Sequence, residues 1–180
     1  MNVGFIGTGS MGSILIESLI RSGALLPEQV IAGNRTPAKA EQLARKYPGL
    51  KVARSNIEVV LEADLLFLCV KPLEYKRVID EIRQVILPVQ ILVSITSPVL
   101  IQHLEEQLGC KIAKVIPSIT NFVGSGATLC MYGERMDDED KEVVEALVEN
   151  ISEPIRICEE HTRITSDVSS CGPAFFAALL

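Results

Sequence analysis

Short apolar runs recur along this chain, and each is followed by a polar turn and a stretch with helical spacing. Val3, Phe5 and Ile6 form the first run. From Met11 to Ile20 the pattern changes period, and Ile14, Leu15, Leu19 and Ile20 can share one helical face. Val30–Gly33 predicts a second strand, ended by Asn34-Arg35-Thr36. Thr36 then stands as an N-cap and Pro37 as the first helical residue of a helix over Lys39–Tyr47. Val52-Ala53 predicts a short third strand, and Asn56 a cap for a brief helix to Leu61. Leu65–Val70 is apolar on both faces, as a strand covered by helices on each side must be.

The alternation continues through a helix at Glu74–Ile86 and a strand at Gln90–Ile95. A helix at Leu100–Leu108 and a strand at Ile112–Ile116, stopped by Pro117, come next. Beyond that, Ala127–Met131 reads as a strand, Asp137–Val148 as a helix, Pro154–Ile157 as an edge strand and His161–Val168 as a helix. Ala174–Leu180 opens a further apolar helix. Strand and helix in turn predict an α/β fold with a doubly wound parallel sheet.

The turn after the first strand carries the candidate chemistry. Gly7, Gly9 and Gly12 stand in the spacing G-x-G-x-x-G, between a strand and a helix. That context fits a dinucleotide pyrophosphate on the free N–H groups of the helix start. Thr8, Ser10 and Met11 belong to the same turn. At the end of the second strand, NAD enzymes usually place a carboxylate for the ribose. Here Asn34 and Arg35 occupy it, with Lys39 one turn on, so NADP is expected and NAD is the alternative. Val70, Lys71 and Pro72 end the fourth strand on the edge where such sheets bind ligands; Ser94 and Pro117 end the fifth and sixth near the expected nicotinamide.

Composition narrows the field. The hydrophobic share of 48% supports a sizeable core, and the absence of Trp makes it an aliphatic one. A net charge of -6 with no basic stripe argues against nucleic acid. The longest apolar run, Leu65–Val70, is far short of the roughly 20 residues a membrane helix needs. The five cysteines are scattered without a C-x-x-C pair, as in a reducing cytoplasm, and no metal site is expected. With the first strand starting at once, no signal peptide is expected. His103 and His161 fall in polar, helical surroundings and read as surface residues. No Ser-His-Asp set and no acid–base carboxylate pair is evident. That suits a cofactor-borne reaction in which the protein supplies position.

The motifs together resemble the pyrroline-5-carboxylate reductase family over nearly the whole chain. They are Phe5–Gly12, Asn34-Arg35-Thr36, Phe67–Pro72, Val93-Ser94-Ile95, Val115-Ile116-Pro117, Val123–Thr128 and Gly172–Phe175. The resemblance implies a Rossmann domain over residues 1–158, and the start of a helical dimerisation domain over residues 159–180. It implies NAD(P)H-dependent reduction of a cyclic imine, pyrroline-5-carboxylate, to proline by a homodimer or higher assembly. Ser169, Cys171 and Gly172 would then meet the substrate carboxylate.

Three loops depart from the family pattern. They are Thr96-Ser97-Pro98, Lys114–Thr120 and Ser169–Ala174, and the changes fall where nicotinamide and substrate would be held. This drift resembles reductase-like proteins encoded beside late-competence operons. It brings in an alternative: a catalytically weak nucleotide-binding protein with a regulatory role. A reductase of another imine or keto acid is a third reading.

Overall fold

A computed structural model describes residues 1–117 and 126–168. Eight strands form one sheet in the order β3-β2-β1-β4-β5-β6-β7-β8. The strands are β1 (Val3–Ile6), β2 (Val30–Gly33), β3 (Lys51–Val52), β4 (Leu65–Leu68), β5 (Ile91–Ser94), β6 (Lys111–Ile116), β7 (Ala127–Tyr132) and β8 (Glu153–Arg156). The helices are α1 (Ser10–Arg21), α2 (Pro37–Lys46), α3 (Asn56–Glu62), α4 (Tyr75–Ile82), α5 (Ile101–Glu105), α6 (Asp138–Glu149) and α7 (Thr162–Ser166).

Strands β1 to β6 are parallel, with the order reversal between β1 and β4 that defines a doubly wound sheet. The doubly wound parallel sheet expected from the sequence is present, with one antiparallel pair at its far edge. β7 runs antiparallel to β6, and β8 is parallel to β7. Only residues 117–126 separate β6 from β7. A parallel return needs a crossover of a dozen residues or more, so the chain comes back in the opposite direction. From β7 the chain crosses through α6 to β8, and that longer path allows a parallel pair.

Alternate residues of each strand feed two apolar layers. Phe5, Phe67, Val93 and Val115 face α1, α2 and α6. Leu66, Leu68, Leu92 and Ile112 face α3, α4 and α5. At the sheet centre the Phe5 and Phe67 rings stack with centroids 5.1 Å apart. Gln90, buried at the entrance to β5, donates to the carbonyls of Val60 and Ala63 and so ties α3 to the sheet.

Several boundaries shift for local reasons. β4 stops at Leu68, not Val70, because β1 turns away at Gly7 and leaves nothing to extend the ladder. Cys69 is therefore beyond the strand, though its N–H still donates to Ile6 at 2.8 Å. Ser55, not Asn56, caps α3, its hydroxyl accepting from Glu58 N–H. α4 ends at Ile82 although its apolar spacing runs on; Ile86 stays buried and its N–H bonds the Ile82 carbonyl. α5 and α7 are likewise shorter than their patterns.

Candidate functional site: a cleft at the glycine turn

The glycine turn sits at the carboxyl end of β1, beside the carboxyl ends of β2 and β4. Gly7 has φ of 102°, a value other residues reach only with strain, and its N–H donates to Gly33 at 2.8 Å. Gly12 lies where a Cβ would fall 2.1 Å from the Gly7 carbonyl oxygen, so α1 can press onto the turn only without a side chain there. Gly9 differs from both: a Cβ would meet nothing within 4 Å. Its bare face is open to the cleft and not to the protein.

Gly9 is also the N-cap of α1, and no side chain caps this helix or places a negative charge in its first turn. The N–H groups of Ser10, Met11 and Gly12 thus begin a helix that invites an anion. Thr8 is buried, and its Oγ1 has no hydrogen-bond partner. An uncapped helix start, an open glycine face and an unspent hydroxyl fit a bound diphosphate.

From the turn a cleft of about 400 Å³ runs across the ends of β2 and β4. Arg35, Lys39, Lys71 and Arg77 line it, with Glu74 and Glu81 on the α4 side. Thr8, Ser10 and Lys39 border an adjoining depression between α1 and α2. Arg35 is largely exposed and pairs with Glu74 at 3.1 Å. Lys39 is exposed and makes no ion pair with any described residue.

The expected site residues divide accordingly. Gly7, Gly9, Asn34, Arg35, Lys39, Val70 and Lys71 line the main cleft. Met11 and Gly12 lie in the first turn of α1, and Pro72 opens the helical turn Pro72–Glu74 before α4. Asn34, just past β2, has a structural task at the turn. Its Oδ1 accepts from Thr8 N–H at 3.0 Å and its Nδ2 donates to Thr36 at 2.9 Å. Both ends of its amide brace the turn.

Ser94 is the last residue of β5. Its hydroxyl is fully buried 2.9 Å from Tyr75 Oη, under α4, and does not face the cleft. Pro117 lies beside a small apolar space lined by Leu15, Phe67 and Leu147, away from Arg35 and Lys39. Ser169, Cys171 and Gly172 lie outside the described residues.

Three features escaped the sequence reading. Glu74 and Arg77 enter the cleft from the start of α4; their i,i+3 spacing after Lys71-Pro72 was the available signal. Lys114 is fully buried in β6, ion-paired with Glu159, and donates to the Ser97 carbonyl at 3.2 Å. A lone lysine inside Ile112–Ile116 was its mark. Burial pushes the Cys110 thiol up to about 12 and the Cys130 thiol up to about 11, and raises that of Cys69 as well. Among the described residues no group of side chains could hold a metal ion, and no helix is long and apolar enough to cross a membrane.

A doubly wound sheet with a bare glycine turn and a cationic cleft at its switch point is the architecture of a dinucleotide-binding domain. The chain belongs to the family described as NADP oxidoreductase coenzyme F420-dependent, whose model matches residues 2–98, and its full-length relatives are pyrroline-5-carboxylate reductases and their kin. It is 41% identical to the ComE operon protein 4 of Bacillus subtilis, over all of this chain and 66% of that protein. It superposes on a pyrroline-5-carboxylate reductase from Coxiella burnetii with a TM-score of 0.90 at 26% identity, covering 99% of this chain and 67% of that one. The Plasmodium falciparum pyrroline carboxylate reductase, solved with NADP bound, matches with a TM-score of 0.86 at 26% identity, over 99% of this chain and 66% of that one. The chain thus spans about two thirds of the length of these relatives, and 66% of the first of them.

Proposed function

We propose that this chain binds NADPH along the cleft and serves the reduction of a cyclic imine, foremost pyrroline-5-carboxylate to proline. The observation that carries the reading is the open face of Gly9 at an uncapped helix start, at one end of a cleft that holds Arg35 and Lys39. The α1 N–H groups would take the diphosphate. Arg35 and Lys39 would take the 2′-phosphate, Arg35 through two parallel hydrogen bonds. Asn34 keeps the turn in shape for both. Val70 and Pro72 would border the coenzyme between its two halves.

When bound, the coenzyme supplies the hydride. The protein's share is to orient it and to keep water away. The Plasmodium relative with NADP bound supports the choice of coenzyme, and the shared fold supports the reaction class. Ser169, Cys171 and Gly172 are proposed for the substrate carboxylate. Residues from 159 onward are proposed as the start of a domain through which two copies join.

A second reading has a specific observation behind it. The loop after β5, Thr96-Ser97-Pro98, departs from the reductase pattern, and the buried Lys114 holds it at the Ser97 carbonyl. A protein that keeps the coenzyme and not the turnover would show such a split. Coenzyme titration followed by turnover separates the two. Tight NADPH binding with NADPH oxidation on adding pyrroline-5-carboxylate is the expected result. Binding without oxidation of any imine leaves the second reading, and no binding of either coenzyme overturns both.

A further inference from the structure

The cleft holds a charge network of which the coenzyme reading uses only Arg35. Glu74 stands at the N-terminus of α4, where the chain turns in from Lys71-Pro72. Its Oε1 accepts from Arg35 Nη1 at 3.1 Å. Its Oε2 accepts from Arg77 Nε and Nη2, each at 3.1 Å. Arg77 reaches on to Glu81 at 3.6 Å, and Glu81 accepts from Asn56 Nδ2 at 2.9 Å. All of these residues line the one cleft. One carboxylate therefore bridges two guanidinium groups that reach it from opposite walls, the end of β2 and the first turn of α4.

The end of β2 lacks the carboxylate that recognises ribose hydroxyls in NAD enzymes, and Asn34 there is committed to Thr8 and Thr36. Glu81 is shared between Arg77 and Asn56. Of the two acidic residues lining the cleft, Glu74 is the one that spans toward β2. A phosphate on the ribose would carry more charge and more acceptor oxygens than Glu74 offers, and two guanidiniums suit it well. Glu74 is 32% exposed at its side chain, so it has a route into water when displaced.

We infer that Glu74 sets the coenzyme preference of this cleft and that Arg77 is a second 2′-phosphate contact beside Arg35. Without a phosphate, Glu74 holds Arg35 and Arg77 in place, and it accepts from the ribose hydroxyls of NADH. With NADPH, both guanidiniums pass to the 2′-phosphate and Glu74 turns outward. The carboxylate competes with the phosphate it makes room for, so it keeps the preference for NADPH smaller than two arginines alone would set. The inference rests on the proposed coenzyme binding and adds its selectivity.

Fluorescence titration of the intact protein with NADPH and with NADH tests it, using Glu74→Gln and Arg77→Met. Glu74→Gln is expected to tighten NADPH at least threefold and to weaken NADH by a similar factor. Arg77→Met is expected to weaken NADPH at least fivefold and to leave NADH within twofold. Both side chains are partly exposed, and a merely structural role would move the two coenzymes together. If the wild type binds coenzyme and neither variant changes the NADPH to NADH ratio, the assignment of Glu74 and Arg77 is overturned while coenzyme binding stands. If the wild type binds neither coenzyme, the binding proposal itself fails and takes this one with it.

Discussion

Two glycines three residues apart do opposite work, and substitution should separate them. At Gly12 an added methyl would lie 2.1 Å from the Gly7 carbonyl oxygen, a backbone atom that cannot step aside alone. Gly12→Ala should therefore destabilise the fold by about 1–3 kcal/mol, the usual cost of overpacking, seen as a lower melting temperature. At Gly9 the same methyl meets nothing within 4 Å. Gly9→Ala creates no clash and should lower the melting temperature less than Gly12→Ala, by no more than the roughly 1 kcal/mol that separates Ala from Gly at an N-cap. Its effect should appear in coenzyme titration, as a tenfold or greater loss of NADPH affinity, because the methyl fills the space a diphosphate would need. Equal melting temperatures for the two variants, or undiminished NADPH affinity in Gly9→Ala, would contradict this division. The glycine spacing was plain in the sequence. That Gly9 faces the cleft and Gly12 faces the protein depends on where α1 lies against the turn, which no spacing records.

At the scale of elements, periodicity located the central strands because each buries both faces, and the core positions followed. It misjudged ends wherever a tertiary partner decides them, as at β4, where Gly7 takes β1 out of the ladder. It could not show the direction of β7, which depends on the short connection before it. Nor could it show that Ser94 turns under α4 to Tyr75, since a serine at a strand end reads alike on either face. The β7–α6–β8 edge owes part of its hold to charge. Glu145 on α6 accepts from Arg156 on β8 at 2.5 and 2.9 Å and from Tyr132 on β7 at 2.7 Å. Arg156 first, and Tyr132 with it, hold the Glu145 carboxyl below its ordinary value of 4.5. A carboxyl whose value is lowered by folding adds stability that is fully present above the unfolded value and is lost as pH falls through the folded one. Glu145→Gln should thus cost stability at neutral pH and progressively less below pH 4.5. Urea unfolding at a series of pH values measures the difference. A gap between wild type and variant that stays constant down to the lowest pH would refute the role of the charge.

The whole molecule is tied together at one buried charge. Lys114 on β6 has no exposed surface, and Glu159, which follows β8, is 23% exposed at its side chain. Glu159 also accepts from the Ile101 N–H at the start of α5, at 3.0 and 3.2 Å from its two oxygens. The sheet, the loop at Ser97, the start of α5 and the chain leaving β8 therefore meet at one ion pair, and Thr162 closes it by donating to the Glu159 carbonyl at 2.6 Å. The two partners are not equivalent. Removing Lys114 leaves a carboxylate that still has the Ile101 N–H and some water. Removing the charge of Glu159 leaves a fully enclosed ammonium without its counter-charge, its other acceptor among the described residues being the Ser97 carbonyl. Breaking a buried pair from one side costs on the order of 3 kcal/mol, mostly as the penalty of the charge left behind. Glu159→Gln should accordingly destabilise the protein more than Lys114→Met, although it is the change of smaller volume. The double variant should recover part of the loss, because it leaves no buried charge unpaired. Chemical denaturation of the four proteins in a double-mutant cycle decides the matter. The order Lys114→Met worse than Glu159→Gln, or strictly additive costs, would mean that packing and not charge holds this junction. Ser97, held by Lys114, lies just past β5 on the edge of the sheet that carries the cleft, so a loss at Glu159 should reach that loop before it reaches the glycine turn on the far side of β4.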